Sequence, residues 1–307
     1  MKNRVTGILL CVVLVMIAAL CTTAHVRATE VIDDTGSAVH IDRVPRRIVS
    51  LAPSITETLF ALDLEERIAG VSQFSNYPDA AQKKPKVGSY INISIERVVA
   101  LDPDLIIGTS NGNKAELLAH LRQLGFTVFV TNPLSIKGVF DTVMDIGEIT
   151  GCPDRAERLV TSLRERVRAV TSRVAGLPVP RVFYQIGIDP IVSSGPDTFH
   201  DILITLAGGR NIAAVSSVRY PRYSIEEIVA EHPDIIILSS MKRGEDFETV
   251  RLKWQKWRDV PAVKHGRIHI IDSDVTDHPS PRIIDGLERM AEIIHPTIQG
   301  AGCGRGR

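Results

Sequence analysis

The amino-acid sequence predicts an α/β protein made of two βα lobes with mostly parallel sheets, which a single long helix joins. Three observations predict this fold class: a repeated segment, short β-rich runs that alternate with helical patterns, and one long amphipathic stretch between the two copies. Strands that alternate with helices indicate βαβ units and hence parallel sheets. A repeat interrupted by one helix indicates that each copy belongs to its own lobe.

The repeat is the strongest of these signals. Residues 94–107 read SIERVVALDPDLII and residues 224–237 read SIEEIVAEHPDIII, so nine of fourteen positions are identical. In each copy the SIE triplet opens a helix, an Asp-Pro or His-Pro pair ends it, and an Ile-rich buried strand follows. Weaker echoes link residues 68–72 to 212–216 and residues 125–130 to 266–271. The order of the echoes is the same in both halves, which predicts two lobes of similar build.

The first lobe is expected over residues 40–150. Residues 47–51 read as a strand, and a helix is expected to start near Ser54. Ser54 can cap that helix, and Glu57 stands three residues further on, as in a capping box.

A connecting helix is predicted over residues 153–174, and the second lobe over residues 178–296. The apolar positions of the connecting segment step by three and four, and Pro153 stands in its first turn. A helix of this length spans roughly 33 Å and can act as a rigid strut. Residues 297–307 are rich in Gly and Arg, which predicts a disordered tail.

The first 28 residues are typical of a cleaved signal peptide. Basic residues precede an apolar run at 8–20, and Ala28 is small enough for the cleavage site. The thirteen apolar residues are too few to span a membrane comfortably. Lipidation at Cys21 is the alternative, but Leu20 stands where a small residue is expected. The sequence therefore favours export of a soluble product.

Two further compositional features bound the function. The 36 basic and 36 acidic side chains balance, which gives no electrostatic reason to expect nucleic acid or an anionic membrane as partner. Cys11 and Cys21 lie in the leader, whereas Cys152 and Cys303 remain in the mature chain. An oxidising compartment would permit a disulfide between the latter two, and the sequence leaves that pairing open.

Five segments, taken in order, carry a resemblance to a known family. They are RIVSLAPSITETLFALDL at 47–64, VGSYINISIERVVALDPDLII at 87–107, GPDTFHDILITLAGGRNIA at 195–213, SIEEIVAEHPDIII at 224–237 and SPRIIDGLERM at 280–290. Together they resemble the helical-backbone class of periplasmic binding proteins, the receptors of ABC importers for cobalamin, haem and ferric siderophores. The likeness is strongest to the cobalamin-binding members, through FSNYP at 74–78, RVFYQIGIDP at 181–190 and SDVTDHPSPRI at 273–283.

The resemblance implies a ligand cleft between the lobes, at the carboxyl ends of the strands, as is general for open α/β sheets. It implies a corrinoid as the ligand, with haem or a ferric siderophore as the alternatives. Tyr90 and Tyr220 stand where the cobalamin receptors have tryptophan, and tyrosine can also stack on a large ring. The expected ligand-binding residues are Pro53, Ser54, Phe74, Tyr77, Ser89, Tyr90, Gln185, Gly187, Tyr220 and Asp274.

The resemblance also implies a periplasmic monomer that performs no chemistry and needs no cofactor. Its partners would be the permease and ATPase of an ABC importer at the inner membrane. Glu96 and Glu226, the acidic residues of the two SIE segments, match the glutamates that meet permease arginines in the family. A carboxylate in the first helical turn is also favourable to the helix dipole, which is the alternative role for both residues. In the second copy, Glu227 stands three residues after Ser224 and can form a capping box with it, which leaves Glu226 unexplained by capping.

Other features suggest competing functions. Residues 108–112 match G-x-S-x-G after a predicted strand, so a secreted serine hydrolase could use Ser110 with Asp272 and His278. The same loop can instead form part of a cleft whose glycines allow close approach to a ligand. A binding protein that scavenges or senses without a transporter is a third hypothesis.

The histidines and tryptophans of the second half are interpreted as ordinary structural residues. The histidines lack the i, i+4 spacing of a helical metal site, and the tryptophans stand three apart, as on one face of a helix. These residues are His200, His265, His269, His278, Trp254 and Trp257.

Overall fold

The chain opens with a hairpin that the sequence did not predict. The computed structural model describes residues 29–239 and 247–297, so the expected leader, Cys303 and nearly all of the expected tail lie outside it. Strands β1 (Thr29–Ile32) and β2 (Ala38–Ile41) pair antiparallel. The buried Asp33 carboxylate joins this hairpin to the first lobe, since it accepts hydrogen bonds from Arg122, at 2.5 Å, and from the backbone of Val130. The first lobe therefore begins before residue 40.

The first lobe is built on a four-stranded parallel sheet. Its strands are β3 (Ile48–Ser50), β4 (Ile68–Val71), β5 (Leu105–Thr109) and β6 (Val128–Thr131), in the spatial order β4-β3-β5-β6. Strands β3, β5 and β6 are buried along their whole length because helices cover both faces of the sheet. Those helices are α1 (Pro53–Ala61), α2 (Asp79–Gln82), α3 (Ile95–Ala100), α4 (Ala115–Gln123) and α5 (Ile136–Ile149).

The connecting helix α6 (Pro153–Val174) has the predicted bounds. Its buried residues follow the predicted apolar stripe: Ala156, Val160, Leu163, Val170 and Val174. This stripe joins the cores of both lobes into one apolar cluster. Within the described ranges, no helix is both long enough and apolar enough to cross a membrane.

The second lobe repeats the plan with one antiparallel addition. Its sheet follows the order β11-β10-β7-β8, with β9 also paired to β7. The strands are β7 (Arg181–Ile188), β8 (Ile191–Ser193), β9 (Arg210–Asn211), β10 (Ile235–Leu238) and β11 (Ile268–Ile270), and only β8 is antiparallel to its neighbour. The helices are α7 (Phe199–Leu206), α8 (Ile225–Ala230), α9 (Phe247–Trp254), α10 (Pro261–Lys264), α11 (Asp274–Asp277) and α12 (Ile283–Ile294).

The sequence repeat corresponds to structurally equivalent elements. The two SIE segments form α3 and α8, and each leads into a central strand, β5 or β10. The echo between residues 125–130 and 266–271 corresponds to β6 and β11. The echo between residues 68–72 and 212–216 is only approximate: the first is strand β4, whereas Ile212–Val215 is a 3₁₀ turn that follows β9.

Candidate ligand-binding site

A cavity of about 580 Å³ opens between the two lobes at the carboxyl ends of their parallel strands. Pockets that hold small organic molecules usually fall between about 300 and 1,000 Å³, so this space has the size of a ligand site. Its walls come from loops, strand ends and helices of both lobes: Ala52, Pro53, Ser54, Tyr90, Thr109, Asn111, Pro133, Leu134, Ile186, Val192, Phe199, His200, Arg219, Tyr220, Thr276, Asp277, His278 and Pro279.

A buried asparagine organises the first-lobe wall. Asn113 is almost fully buried, and its Oδ1 accepts a hydrogen bond from the backbone of Thr109 at 2.8 Å. Its Nδ2 donates to the carbonyl oxygens of Tyr90, at 2.6 Å, and Leu51, at 3.2 Å. One side chain thus holds together the loop after β3, the loop after β5 and the segment that carries Tyr90. Sequence reasoning missed Asn113 because a lone asparagine in a loop carries no recognisable pattern.

Tyr90 packs directly on the backbone of Gly112. A Cβ atom at position 112 would lie 2.1 Å from the tyrosine ring, and the residue has a φ of +135°. Only glycine tolerates both conditions without a shift of the ring. The second glycine of the G-x-S-x-G motif therefore lets Tyr90 occupy its place in the cavity wall.

The second-lobe wall contains a histidine whose two ring nitrogens are both used. Ser194 donates its hydroxyl proton to Thr198 Oγ1, so Ser194 Oγ accepts from His200 Nδ1 at 2.8 Å. The Nε2 atom of His200 contacts a carboxylate oxygen of Asp277. The His200 ring also stacks on Tyr184, with the ring centroids 4.4 Å apart. His200 is thus a buried, fixed part of the wall.

Arg219 supplies a positive charge at the mouth of the cavity. Its guanidinium donates to the carbonyl oxygen of Asp197 at 2.6 Å and lies 6.0 Å from the centre of the Tyr220 ring. None of the described acidic side chains lies within salt-bridge distance of it. The site can therefore attract an anionic or strongly polar group on a ligand.

A buried glutamate joins the lobes beside the cavity. Glu57 on α1 is only 5% exposed, and its carboxylate accepts hydrogen bonds from three residues of the second lobe. Its partners are His278 Nδ1 at 3.0 Å, the Ser280 hydroxyl, and Arg282 at 3.2 Å. We call these four residues the inter-lobe junction. Burial alone would lower the pKa of His278, but the hydrogen bond to Glu57 and the nearby acidic charges outweigh it and raise that pKa above its usual value.

Helix α1 begins at Pro53, so the predicted capping of this helix by Ser54 and Glu57 is wrong. The residue before the helix is Ala52, Pro53 occupies the first turn, and Ser54 lies inside the helix and caps nothing. Glu57 therefore has no capping partner. Its side chain points across to the second lobe, a contact between residues 221 positions apart that no local pattern could reveal.

Four of the ten expected ligand-binding residues line the cavity: Pro53, Ser54, Tyr90 and Tyr220. The other six do not. Gln185 is 1% exposed and accepts a hydrogen bond from Trp254 Nε1 at 3.1 Å, behind the wall. Successive residues of a strand face opposite sides, so Ile186 faces the cavity while Gln185 and Gly187 do not.

The other expected ligand-binding residues that do not line the cavity lie in segments next to it. Asp274 begins α11, and Thr276 and Asp277, further along that helix, reach the cavity instead. Ser89 accepts a hydrogen bond from the backbone of Asn92 in a turn. Two aromatic residues, Phe74 and Tyr77, lie outside the cavity wall, and Arg282 covers the Tyr77 ring at 3.6 Å.

The structure does not assemble the serine-hydrolase arrangement. Ser110 follows β5, but among the described residues its hydroxyl has no hydrogen bond to a histidine. His278, its proposed base, is bonded to Glu57 instead. Trp254 is buried and packs edge-on against Phe183, which confirms the core interpretation for that residue.

The two glutamates of the SIE segments are both exposed, on α3 and α8. Ser224 and Glu227 form the predicted capping box, which leaves Glu226 without a capping role. Glu96 accepts a hydrogen bond from Ser94 at 2.8 Å. Its own backbone N–H and this hydrogen bond lower its pKa.

Comparison with known proteins places the fold and the cleft in one family. The family described as periplasmic binding protein matches residues 48–275. The vitamin B12-binding protein of Vibrio vulnificus is 30% identical over 247 residues, which cover 80% of this chain and 89% of that protein. An uncharacterized ABC transporter substrate-binding lipoprotein of Bacillus subtilis, YvrC, is 32% identical over 273 residues, covering 86% and 85%.

Solved structures show the same architecture. The periplasmic vitamin B12-binding protein BtuF of Vibrio cholerae superposes with a TM-score of 0.73 at 29% identity, over 83% of this chain and 99% of that one. The periplasmic haem-binding protein RhuT of Roseiflexus sp. RS-1 also gives 0.73, at 27% identity and the same coverage. A vitamin B12 receptor and a haem receptor are therefore equally similar in fold to this chain.

Proposed function

Because the chain belongs to the periplasmic binding protein family, whose members serve ABC importers, we propose that it binds a cobalt corrinoid between its lobes and delivers it to a permease. The observation that carries the proposal is the pair of tyrosines, Tyr90 from one lobe and Tyr220 from the other, in the wall of a single cavity. Aromatic faces on both sides suit a large, flat macrocycle. The B12-binding relatives support the same ligand class.

The polar lining also suits a corrinoid. Such a ring carries peripheral amide groups, which both donate and accept hydrogen bonds. Ser54, Thr109 and Asn111 line the first-lobe wall and offer hydroxyl and amide partners for them. The B12-binding relatives and this neutral polar lining both support a corrinoid as the ligand.

Haem is the second candidate, and Arg219 favours it. A guanidinium without an acidic partner among the described residues can form a bidentate pair with a propionate carboxylate. The haem-binding structural relative gives this alternative further support. Replacement of Arg219 by glutamine separates the two ligands: affinity for haem should fall about tenfold or more, whereas affinity for a neutral corrinoid should change little.

Calorimetric titration with cyanocobalamin, haemin and a ferric hydroxamate tests the proposal. We expect saturable one-to-one binding of the corrinoid in preference to both iron compounds. Saturable binding of haemin or the ferric hydroxamate, without detectable heat from the corrinoid, would refute the corrinoid proposal.

Variants of the two wall tyrosines locate the binding site. Loss of an aromatic wall should weaken ligand affinity by about 1–3 kcal/mol in each of Tyr90→Ala and Tyr220→Ala. Tyr77→Ala is the matched control, because Tyr77 is 48% exposed and lies outside the cavity wall. If Tyr77→Ala weakens binding as much as the other two do, the ligand lies elsewhere.

Delivery is proposed to depend on Glu96 and Glu226, one exposed carboxylate on each lobe at equivalent places of α3 and α8. A receptor with two similar lobes can present such a pair to a permease of two similar subunits. Residues 1–28 are proposed to export the protein to the periplasm, where such receptors act.

A further inference from the structure

The cavity wall contains two histidines with opposite surroundings. His200 uses both ring nitrogens within the protein, toward Ser194 and Asp277. His278 uses only one. Its Nδ1 lies 3.0 Å from a carboxylate oxygen of Glu57, while Nε2 has no hydrogen-bond partner among the described residues. That Nε2 atom is not one of the buried unpartnered polar atoms of those residues, so it is exposed, on a residue that lines the cavity.

The surroundings of Glu57 determine which nitrogen of His278 carries the proton. The Glu57 carboxylate also accepts from the Ser280 hydroxyl and from Arg282. Because a carboxylate with these donors can only accept, the hydrogen bond from His278 requires a proton on Nδ1. In the neutral ring, the lone pair therefore resides on Nε2, which is the exposed nitrogen.

This arrangement is the one that proteins use to prepare a histidine for a metal. A ligating histidine almost always donates its other ring N–H to a carboxylate or carbonyl group, which fixes the tautomer and the ring orientation and makes the free nitrogen more basic. Glu57, held by two other donors and 5% exposed, supplies a fixed carboxylate. No group of three or more His, Cys, Asp or Glu side chains in the described ranges could hold a bare metal ion, whereas a metal already held within a ligand needs only one further nitrogen.

We propose that Nε2 of His278 is an axial ligand to the metal of the bound molecule, a cobalt corrinoid whose axial position carries an exchangeable water. This inference rests on the proposed function. In the exchange, any proton on Nε2 is released to solvent, the cobalt–water bond breaks, water leaves, and the lone pair of the neutral imidazole forms the cobalt–nitrogen bond. No electron is transferred, and the Nδ1 proton stays in its hydrogen bond to Glu57. Corrinoids with an open or water-bound face would thus bind more tightly than cyanocobalamin, whose axial positions are both occupied and which the cavity walls alone would hold.

Electron paramagnetic resonance of bound cob(II)inamide tests the proposal, because this corrinoid has no nitrogenous base of its own. Its unpaired electron lies along the axial direction, so one coordinated ¹⁴N splits each cobalt line into a triplet. We expect that triplet in the wild-type complex and a doublet when the protein carries ¹⁵N-histidine. The nitrogen splitting should vanish in His278→Ala and persist in His269→Ala, a control histidine that lies on β11 outside the cavity wall.

The isotope result on the wild-type protein keeps the test valid if His278→Ala fails to fold. His278→Gln offers a further variant, with a side chain of similar reach that is a poor cobalt ligand. Saturable binding without nitrogen splitting, or splitting that survives the removal of His278, overturns the axial contact and leaves corrinoid binding intact. If cob(II)inamide and cyanocobalamin both fail to bind, the axial contact and the proposed function fall together.

Discussion

Replacement of Glu57 by glutamine is expected to destabilise the protein, because it removes the negative charge at the centre of the inter-lobe junction. Glutamine has nearly the same shape, so the change leaves packing largely intact. Its amide oxygen can still accept from His278 and Arg282, and its NH₂ group can donate to the Ser280 hydroxyl, so the change removes chiefly the charge. Arg282 and the protonated form of His278 lose their ionic partner.

The expected magnitude follows from the burial of the group. Breaking a buried ion pair by removal of one partner costs about 3–5 kcal/mol. Arg282 keeps its stacking contact with Tyr77 at 3.6 Å, and its side chain is 17% exposed, so water can solvate part of the released charge. We therefore expect a loss of about 3 kcal/mol, near the lower end of that range. For a protein of this size, this loss corresponds to a fall in Tm of roughly 6–12 °C.

The pH dependence gives the prediction a second, independent readout. The pKa of His278 is raised in the folded protein, so its contribution to stability is fully present below the ordinary value of 6.5. That contribution disappears as the pH rises through the raised pKa. The stability difference between wild type and Glu57→Gln should therefore shrink as the solution becomes alkaline.

Urea unfolding followed by circular dichroism measures both quantities. Glu66→Gln is the control, since Glu66 is exposed on the same lobe and the substitution should change stability by less than about 0.5 kcal/mol. A Glu57→Gln variant as stable as this control would show that the junction does not hold the lobes together. A difference that grows with pH would contradict the assigned role of His278.

Three further predictions concern other parts of the molecule. Asp145→Asn should stabilise the protein by about 1–2 kcal/mol at neutral pH, because burial and acidic neighbours raise the pKa of this half-buried carboxyl from 3.8 to about 6. The gain should decrease as the pH falls through about 6 and vanish below 3.8, where the carboxyl is protonated in both states. Gly112→Ala should displace the Tyr90 ring and lower corrinoid affinity about 2- to 10-fold in calorimetry. Charge reversal at both Glu96 and Glu226 should abolish uptake by cells while ligand affinity and Tm stay nearly unchanged.

For Asp145→Asn, urea unfolding at several pH values should show the trend, and equal stability of both proteins at neutral pH would contradict it. Gly125→Ala controls for Gly112→Ala, because Gly125 also has a positive φ but no atom within 4 Å of the added Cβ. If these two alanine variants bind the corrinoid with equal affinity, Tyr90 does not contact the ligand. Normal uptake by the charge-reversed receptor would refute the docking role of the glutamates.

The elements that local patterns specify were predictable from the sequence. Helix α6 has an apolar stripe, a proline in its first turn and a glycine beyond its end, and its bounds were predicted to the residue. The capping box of Ser224 and Glu227 was predicted for the same reason. In each case the determining contacts lie within one or two helical turns, so the residues that make them are close in sequence.

The site was predictable only to the level of segments. The strand end containing Gln185 was identified, but the face of the strand was not, and a shift of one residue to Ile186 moves a side chain to the opposite side. Glu57 carried a local signal for capping, yet its partners lie in the second lobe. His278 gained its significance only from that contact. Side-chain contacts between the lobes depend on how the lobes pack, and no local sequence pattern indicates them.

The most direct test of corrinoid binding between the lobes is the position of cobalt in a crystal of the protein grown with cyanocobalamin. Anomalous diffraction at the cobalt absorption edge locates the metal without reference to the protein coordinates. We predict one strong peak inside the cavity bounded by Tyr90 and Tyr220. A peak on the outer surface, or no peak in crystals grown with saturating cyanocobalamin, would contradict binding of a corrinoid in the cleft.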